Sequence, residues 1–384
     1  MNRGSGIRIG LIGGGFIGRS HALAIRAVNA TFAELPLRAC AHVLCDLDAG
    51  KAARLAGETG FANWTDDWRQ AVEDADAVVI AVPGQFHHRI ASHAIERGKA
   101  VLCEKPVGLS AAENQALADA AQVAGVVNAV GFTYLRAPMV AHARQLLDSG
   151  ILGRPVHFHG RHFEDYLASP DAPFSWRMDP AIAGRCGALG DLGCHILAVA
   201  RYLCGPVASL SGNSAIVHPL RPADPGRKEM RAVGNEDYAS AQLRFESGTT
   251  GMIEASRVAL GCKMDIAFEL ICDRGAIRFG GERMNELSVY LQEDADRGIP
   301  GFRRVLINAG HPGYPAFLPA PGHGLGFNDL KTIEIAAFLR GIATGDSVYP
   351  DLAEAARIAR ICEAILDSSE ARGWIDNPEH SPST

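Results

Sequence analysis

Along the first third of the chain, short runs of consecutive apolar residues alternate with stretches of helical spacing. IRIGLIG (Ile7 to Gly13) reads as a strand after a loose end, MNRGSG. FIGRSHALAIRAV, from Phe16, carries its apolar positions at helical intervals. LRACAHVLC (37–45), DAVVIAVP (76–83), KAVLCE (99–104) and VVNAVGF (126–132) read as further strands. Between them, FHHRIASHAIERG is a helix closed by Gly98. Ser110 and Glu113 form a Ser-x-x-Glu capping pattern that opens a helix running to Gly125. Strands that are apolar throughout, each followed by a helix, predict a parallel sheet covered on both faces.

The pattern changes after about residue 135. A helix from Pro138 to Ser149 leads into the strand PVHFHGRHF (155–163). From Val207 to Asn308 most segments read as strands joined by glycine-containing turns, as in DYASAQLRFESGTTGMIEASRVA and KMDIAFELICDRGAIRFGG. Two helices, Asp329 to Thr344 and Leu352 to Glu370, precede a polar tail. The second part is therefore expected to be α+β with a largely antiparallel sheet.

At 384 residues the chain is too long for one ordinary core, and two domains are expected, 1–134 and 135–384. The net charge of −6 offers no basic surface for nucleic acid. No stretch has the order of a secretory leader, and the apolar runs break off before membrane-spanning length. The nine cysteines are scattered without a Cys-x-x-Cys pair, which points to reduced thiols in a cytoplasmic protein rather than disulfides or a zinc framework.

Gly13, Gly15 and Gly18 form Gly-x-Gly-x-x-Gly between the first strand and the first helix, with Phe16 and Ile17 at the helix start. The first glycine permits the tight turn, the second lets backbone approach a pyrophosphate, and the third lets helix pack on strand. The helix N-terminus then offers free N–H groups to phosphate. The acid expected to hold the adenosine ribose is Asp46, at the end of the second strand. It comes later than the usual spacing because of the insertion NATFAELP. Glu34 lies in that insertion rather than at a strand end. Asp48 is the alternative ribose partner, and both Asp46 and Asp48 also fit solvated turn positions. An acid here favours NAD by repelling the 2′-phosphate of NADP.

The fourth strand ends in Glu104, Lys105 and Pro106. Ligands of open parallel sheets lie beyond the carboxyl ends of the strands, so Lys105 is aimed at the cofactor crevice. A lysine partly desolvated near an oxidised nicotinamide can donate and accept protons. Glu104 is expected to orient or neutralise it.

These stretches together resemble the glucose–fructose oxidoreductase / inositol dehydrogenase / rhizopine-catabolism family (Gfo/Idh/MocA), over nearly the whole chain. The resemblance is carried by GLIGGGFIGRSHA, by AVPGQFHHRIASHAIERGKAVLCEKP and by GALGDLGCHILAVARYL. In the second stretch Pro83 and His87 match the family's Pro and His ahead of Glu-Lys-Pro. In the third, Asp191 and His195 match an Asp-x-x-x-His helix start. Two departures are Gly84, where the family has Asn, and GFTYLRAP, where Arg would directly follow Tyr. The resemblance implies a Rossmann domain followed by an α+β domain with an open-faced sheet, assembled as dimers or tetramers through that sheet. It also implies NAD as cofactor, with Pro83, His87 and Glu104 near it, and Lys105, Asp191 and His195 as the catalytic trio.

Asp191 and His195 support the same reading on their own chemistry. Four residues apart at a helix start, they share one face, and a carboxylate beside an imidazole fixes its tautomer and stabilises its protonated form. The alternative is a capping Asp and a core His. In HFHGRHFEDYLASPDAPFSWR, His157 and His159 share a strand face and His162 follows; packed or hydrogen-bonded histidines are favoured there over a metal site. Asp165, Tyr166, Trp176 and Arg177 suit a polyhydroxylated ring, with polar groups for its hydroxyls and an aromatic face for its C–H side. Tyr134 and His323 complete the expected substrate wall. WRMDPAIAGRCGALGD is most similar to the anhydrosugar and cyclitol dehydrogenase branches of the family. The expected activity is NAD-dependent oxidation of a secondary hydroxyl of a sugar, anhydrosugar or cyclitol. The alternatives are an NAD-dependent glycoside hydrolase working by transient oxidation, and a nucleotide-binding sensor without catalysis.

Overall fold

In the computed structural model, residues 5–226, 229–317 and 320–379 are described. The chain divides into two compact units, one of residues 1–136 and 325–356, the other of residues 137–324 and 357–384. The expectation of two continuous domains is corrected by this division. Its boundary lies close to the predicted one, but residues 325–356 return to the first unit.

The first unit is built from β1 (Ser5–Ile12), α1 (Phe16–Thr31), β2 (Leu37–Cys45), α2 (Ala49–Thr59), β3 (Asn63–Thr65), α3 (Trp68–Asp74), β4 (Ala77–Ile80), α4 (His87–Glu96), β5 (Ala100–Cys103), α5 (Ala111–Ala124) and β6 (Asn128–Val130). The six strands are parallel, in the order β3-β2-β1-β4-β5-β6. This is the dinucleotide-binding arrangement, whose strand order reverses between β1 and β4. All four residues of β4 are buried, as an unbroken apolar run requires. The three-residue β3 is too short to show a period, and it was not predicted. The first three residues of the insertion NATFAELP belong to α1, which runs on to Thr31. Asn29 there ties α1 to β2 through both the N–H and the carbonyl of Ala39. At α5, Ser110 Oγ accepts from the Glu113 N–H as predicted, but the Glu113 carboxylate reaches the Leu109 N–H, one residue before the expected partner.

The second unit contains α6 (Pro138–Asp148), β7 (Pro155–Phe163), α7 (Pro180–Ala183), α8 (Cys194–Cys204), β8 (Val207–Ala215), the hairpin β9 (Leu220–Pro222) and β10 (Met230–Ala232), β11 (Tyr238–Phe245), β12 (Thr250–Ser256), β13 (Asp265–Cys272), β14 (Gly275–Gly280), β15 (Glu286–Leu291), α9 (Gln292–Asp296) and β16 (Arg303–Leu306). Helices α10 (Phe327–Thr344) and α11 (Leu352–Ala371) and strand β17 (Ile375–Asp376) complete the chain. Nine strands form one sheet in the order β16-β15-β14-β13-β7-β12-β11-β8-β17, antiparallel except for the β7–β12 pair. Along β7, Phe158, Gly160 and His162 are buried, whereas His157, His159, Arg161 and Phe163 face the more open side. A side chain at Gly160 would press on Ile196 of α8, so the buried face is the one α8 covers.

Helix α10 and residues 345–356 belong with the first sheet. The Asn128 side chain donates to Ser347 Oγ at 2.9 Å and accepts from the Leu352 N–H at 2.8 Å. The Val130 N–H donates to the Pro350 carbonyl. Lys331 and Glu334 of α10 are fully buried, and their charges are met by residues of the first unit.

Candidate active site

In the first unit, the carboxyl ends of β1, β2, β4 and β5 carry the groups the sequence singled out. Gly13 has φ +107°, and a Cβ there would overlap the Ala81 carbonyl; a Cβ at Gly18 would overlap the Gly13 carbonyl oxygen. Both positions therefore demand glycine, one for its dihedral and one for close approach. Gly15, the N-cap of α1, has open space where a side chain would stand. No acidic residue occupies the first turn of α1, and Phe16 is 81% exposed. An uncovered helix N-terminus behind a glycine turn fits a pyrophosphate. Ile17 continues α1 as its second residue.

Asp46 follows β2. Its Oδ2 accepts from the Gly14 N–H at 2.9 Å and from Lys51 Nζ at 2.8 Å, and its Oδ1 accepts from the Asp48 N–H at 3.1 Å. Burial works against ionisation here, but the Lys51 and backbone hydrogen bonds outweigh it and hold the carboxyl below its usual range. Asp48 is the N-cap of α2, and Glu34 pairs with Arg340. Asp46 is thus the acid that meets the glycine turn.

Two expected cofactor contacts are corrected. His87 is buried, with Nδ1 2.7 Å from the Pro106 carbonyl and Nε2 2.7 Å from the Val82 carbonyl, so its ring ties the end of β4 to the turn after β5. Glu104 points into the interior rather than towards Lys105 or the crevice. Its Oε1 accepts from His21 Nε2 at 2.8 Å and from Lys331 Nζ, and Lys331 also donates to Glu334 at 2.9 Å. Both residues lie just past the end of β5, and the Lys331 and His21 partners hold Glu104 in the interior. His21, Glu104 and Glu334 lie close enough to hold a metal ion, but the Lys331 ammonium supplies the positive charge there. Lys105 is half-buried and joined to Pro106 by a cis peptide bond. Pro83 has extended backbone, and its carbonyl accepts from the Phe86 N–H. Tyr134 stands in this unit beside Phe327, 6.4 Å between rings, and Phe327 stacks in turn with Phe16 at 6.5 Å.

In the second unit, four predicted residues come together. Asp191 Oδ2 accepts from the Tyr166 hydroxyl at 2.7 Å and lies 3.5 Å from Arg177 Nε, while the Arg177 guanidinium sits 4.5 Å from the centre of the Trp176 ring. Burial of the hydroxyl, and then the Asp191 charge, push the Tyr166 pKa well up, so it remains a donor. Residues Leu189–Gly193 form a turn of π-helix leading into α8, with the Cys194 N–H donating to the Leu189 carbonyl. Such turns are often found at functional sites. His195 lies just beyond, 6% exposed, its ring 5.7 Å from that of His162. His162 Nδ1 is 3.1 Å from the Leu192 carbonyl.

The supports of this group escaped the sequence reading. The buried Glu236 carboxylate accepts from the Gly187 and Leu189 N–H groups, both at 2.8 Å, and so caps the π-helical turn. Burial raises its pKa against those hydrogen bonds. Asn235 and Arg257 both donate to the Arg177 carbonyl, and Arg257 Nε is paired at 2.9 Å with buried Asp237. A run of three polar residues, Asn-Glu-Asp, just before a strand was the available signal.

Two substrate-wall expectations do not join this cluster. Asp165 is engaged by Lys263 Nζ at 2.6 Å and the Gly261 N–H at 3.1 Å. His323 is exposed, with Nδ1 3.3 Å from the Ala320 carbonyl. His157 and His159 face the open side of the sheet, at Thr250 and Glu254, opposite the side that holds His162. The three do not assemble a metal site.

A family model described as an oxidoreductase family with an NAD-binding Rossmann fold, GFO/IDH/MocA, matches residues 7–132, and its C-terminal domain counterpart matches residues 140–278. Levoglucosan dehydrogenase of Pseudarthrobacter phenanthrenivorans is 36% identical over 389 residues, covering 98% of this chain and 99% of that protein. The scyllo-inositol 2-dehydrogenase (NAD(+)) of Bacillus subtilis is 31% identical over 62% of this chain and 66% of its own length. Among solved structures, a levoglucosan dehydrogenase in complex with NADH and levoglucosan superposes with a TM-score of 0.93 at 37% identity, covering 98% of this chain and all of that one (100%).

Proposed function

The chain belongs to the GFO/IDH/MocA oxidoreductase family, and on that premise we propose an anhydrosugar of the levoglucosan type as its substrate. It is an NAD-dependent dehydrogenase that oxidises a hydroxyl of a sugar, anhydrosugar or cyclitol. The observation that carries the narrower reading is the Tyr166–Asp191–Arg177 group against the Trp176 ring, in a chain that matches a levoglucosan dehydrogenase along its whole length. A compact polyhydroxylated ring offers donors and acceptors at its edge and an apolar C–H face, and these four side chains offer the complements.

Bound NAD supplies an acceptor at its nicotinamide for the carbinol hydrogen and its electron pair. The glycine turn and the N-terminus of α1 would hold its pyrophosphate, and Asp46 would meet the adenosine ribose. In the second unit His195 is the base for the hydroxyl proton, and in the first unit Lys105 is the acid–base candidate at the end of β5. Asp191 accepts from Tyr166 and anchors Arg177, and so sets the polar edge against which the sugar is held. Glu236 and Arg257 keep that edge in place.

The test is a panel of anhydrosugars, sugars and cyclitols with NAD, followed by absorbance and by product chromatography. The expected result is NADH formed in equal amount with a keto product, and highest kcat/KM on an anhydrosugar. Preference for an inositol would overturn the substrate assignment. Sugar release without net NADH would mean redox-assisted hydrolysis instead. We place the protein in the cytoplasm, in keeping with nine scattered cysteines that form no Cys-x-x-Cys pattern. We also propose a dimer or tetramer formed through the open face of the nine-stranded sheet, to be checked by light scattering.

A further inference from the structure

The acid expected to read the adenosine ribose is already occupied. Gly14, Lys51 and Asp48 fill three of the roughly four acceptor positions that a carboxylate offers, leaving little for the two hydroxyls of a ribose. Two of the three partners are backbone N–H groups fixed by the turn. The third, Lys51, is a long side chain, 38% exposed, near the position a Gly14 Cβ would take. It can leave Asp46 without disturbing the fold. The surroundings are otherwise negative. The thiol of Cys45, next to Asp46, is pushed up to about 12 by burial and by the charges of Asp46, Asp67 and Asp66.

We propose that Lys51 sets how far this protein discriminates between NAD and NADP, by neutralising Asp46 when the ribose is unphosphorylated and by donating to the 2′-phosphate when it is not. This rests on the assignment of the glycine turn and Asp46 to the adenosine end of the dinucleotide. A bare Asp46 among acids would repel a 2′-phosphate strongly. With Lys51 in place the repulsion is offset, and binding of NADP is weaker than that of NAD without being abolished. An ammonium facing a phosphate forms a charge-assisted hydrogen bond of the stronger kind.

The experiment is calorimetric titration of NADH and NADPH into the wild type, Lys51→Gln, Lys51→Arg and Asp46→Asn, with thermal melts to confirm folding. In Lys51→Gln the NADPH dissociation constant should rise by about tenfold or more, as expected for loss of a charge-assisted hydrogen bond, while that of NADH changes by less than about twofold. Lys51→Arg keeps the charge and should keep most of the NADPH affinity. A wild type with no measurable NADPH binding overturns the proposal, as does a Lys51→Gln protein whose two affinities change equally or not at all. Asp46→Asn tests the underlying reading separately. If it leaves NADH affinity untouched, the end of β2 is not the adenosine site, whatever Lys51 does.

Discussion

Glu104 and Lys105 are adjacent, yet one is an interior charge and the other a half-buried residue at a strand end. Lys105 is the one we propose for acid–base chemistry. Lys105→Ala and His195→Ala should each lower kcat by about 10²–10⁴-fold, the usual contribution of a positioned acid–base group, with NADH affinity nearly intact by calorimetry. Near-native turnover in both single variants would falsify the assignment. Tyr166→Phe removes the donor to Asp191 and should raise KM for the sugar more than it lowers kcat. A buried histidine adds its own acid-sensitive contribution to stability. His311 is buried against His142, rings 4.3 Å apart, and its pKa is lowered to about 4, by burial first and then by His142. With the folded pKa below the unfolded one, near 6.5, its stabilisation is whole above about pH 6.5 and is lost as pH falls towards 4. Histidine NMR should give a titration midpoint for His311 well below 6, and a midpoint at 6.5 contradicts the burial of its ring.

At the level of elements, the glycine turn and the π-helical turn hold the chemistry in place by different means. The first depends on absent side chains. Gly18→Ala puts a methyl group into the Gly13 carbonyl, so NADH binding should be lost in calorimetry and the melting temperature should fall. The second depends on a buried carboxylate. Glu236→Gln keeps the shape but offers one acceptor oxygen where the Gly187 and Leu189 N–H groups need two. One N–H is then left unsatisfied, at a cost of about 1–3 kcal/mol in denaturant unfolding, and kcat/KM should fall as Asp191 loses its platform. Unchanged unfolding free energy would show that the cap contributes nothing.

For the whole molecule, the charge lock between α10 and β5 explains why residues 325–356 return to the first sheet. Lys331 sits between Glu104 and Glu334, all three buried. Burial opposes both charges, but Lys331 and His21 hold the Glu104 carboxyl far below its usual range, and Glu104 and Glu334 raise Lys331 above its own. A depressed acid contributes stability above its unfolded pKa, near 4.3, and loses it only as pH falls through the lower folded value. A raised lysine contributes below its unfolded pKa, near 10.4, and loses it only as pH rises through the higher folded value. The lock should therefore contribute evenly from about pH 5 to 10. Lys331→Met strands two buried carboxylates and should destabilise by about 3–5 kcal/mol in urea, the range for breaking one side of a buried ion pair. A loss under about 1 kcal/mol would mean the carboxylates find water instead.

What the sequence determined by itself was local. Period and punctuation placed β1, β2, β5, α5 and α6 within a residue or two, because backbone geometry repeats over a few residues and leaves its mark there. The glycine turn, the place of Asp46 after β2 and the helix start around Asp191–His195 were legible as local structure for the same reason: a turn, a strand end and a helix start are set by neighbouring residues. Tertiary structure decided whatever depends on partners distant in the chain. It turned Glu104 away from Lys105 towards Lys331, 227 residues on, and made His87 a brace between carbonyls. It joined Tyr166 and Arg177 at Asp191, drew Asp165 off to Lys263, and put Glu236 beneath the π-helical turn. A buried charge must meet an opposite charge or a hydrogen-bonding partner, and which one it meets depends on how the elements pack, which no local pattern records.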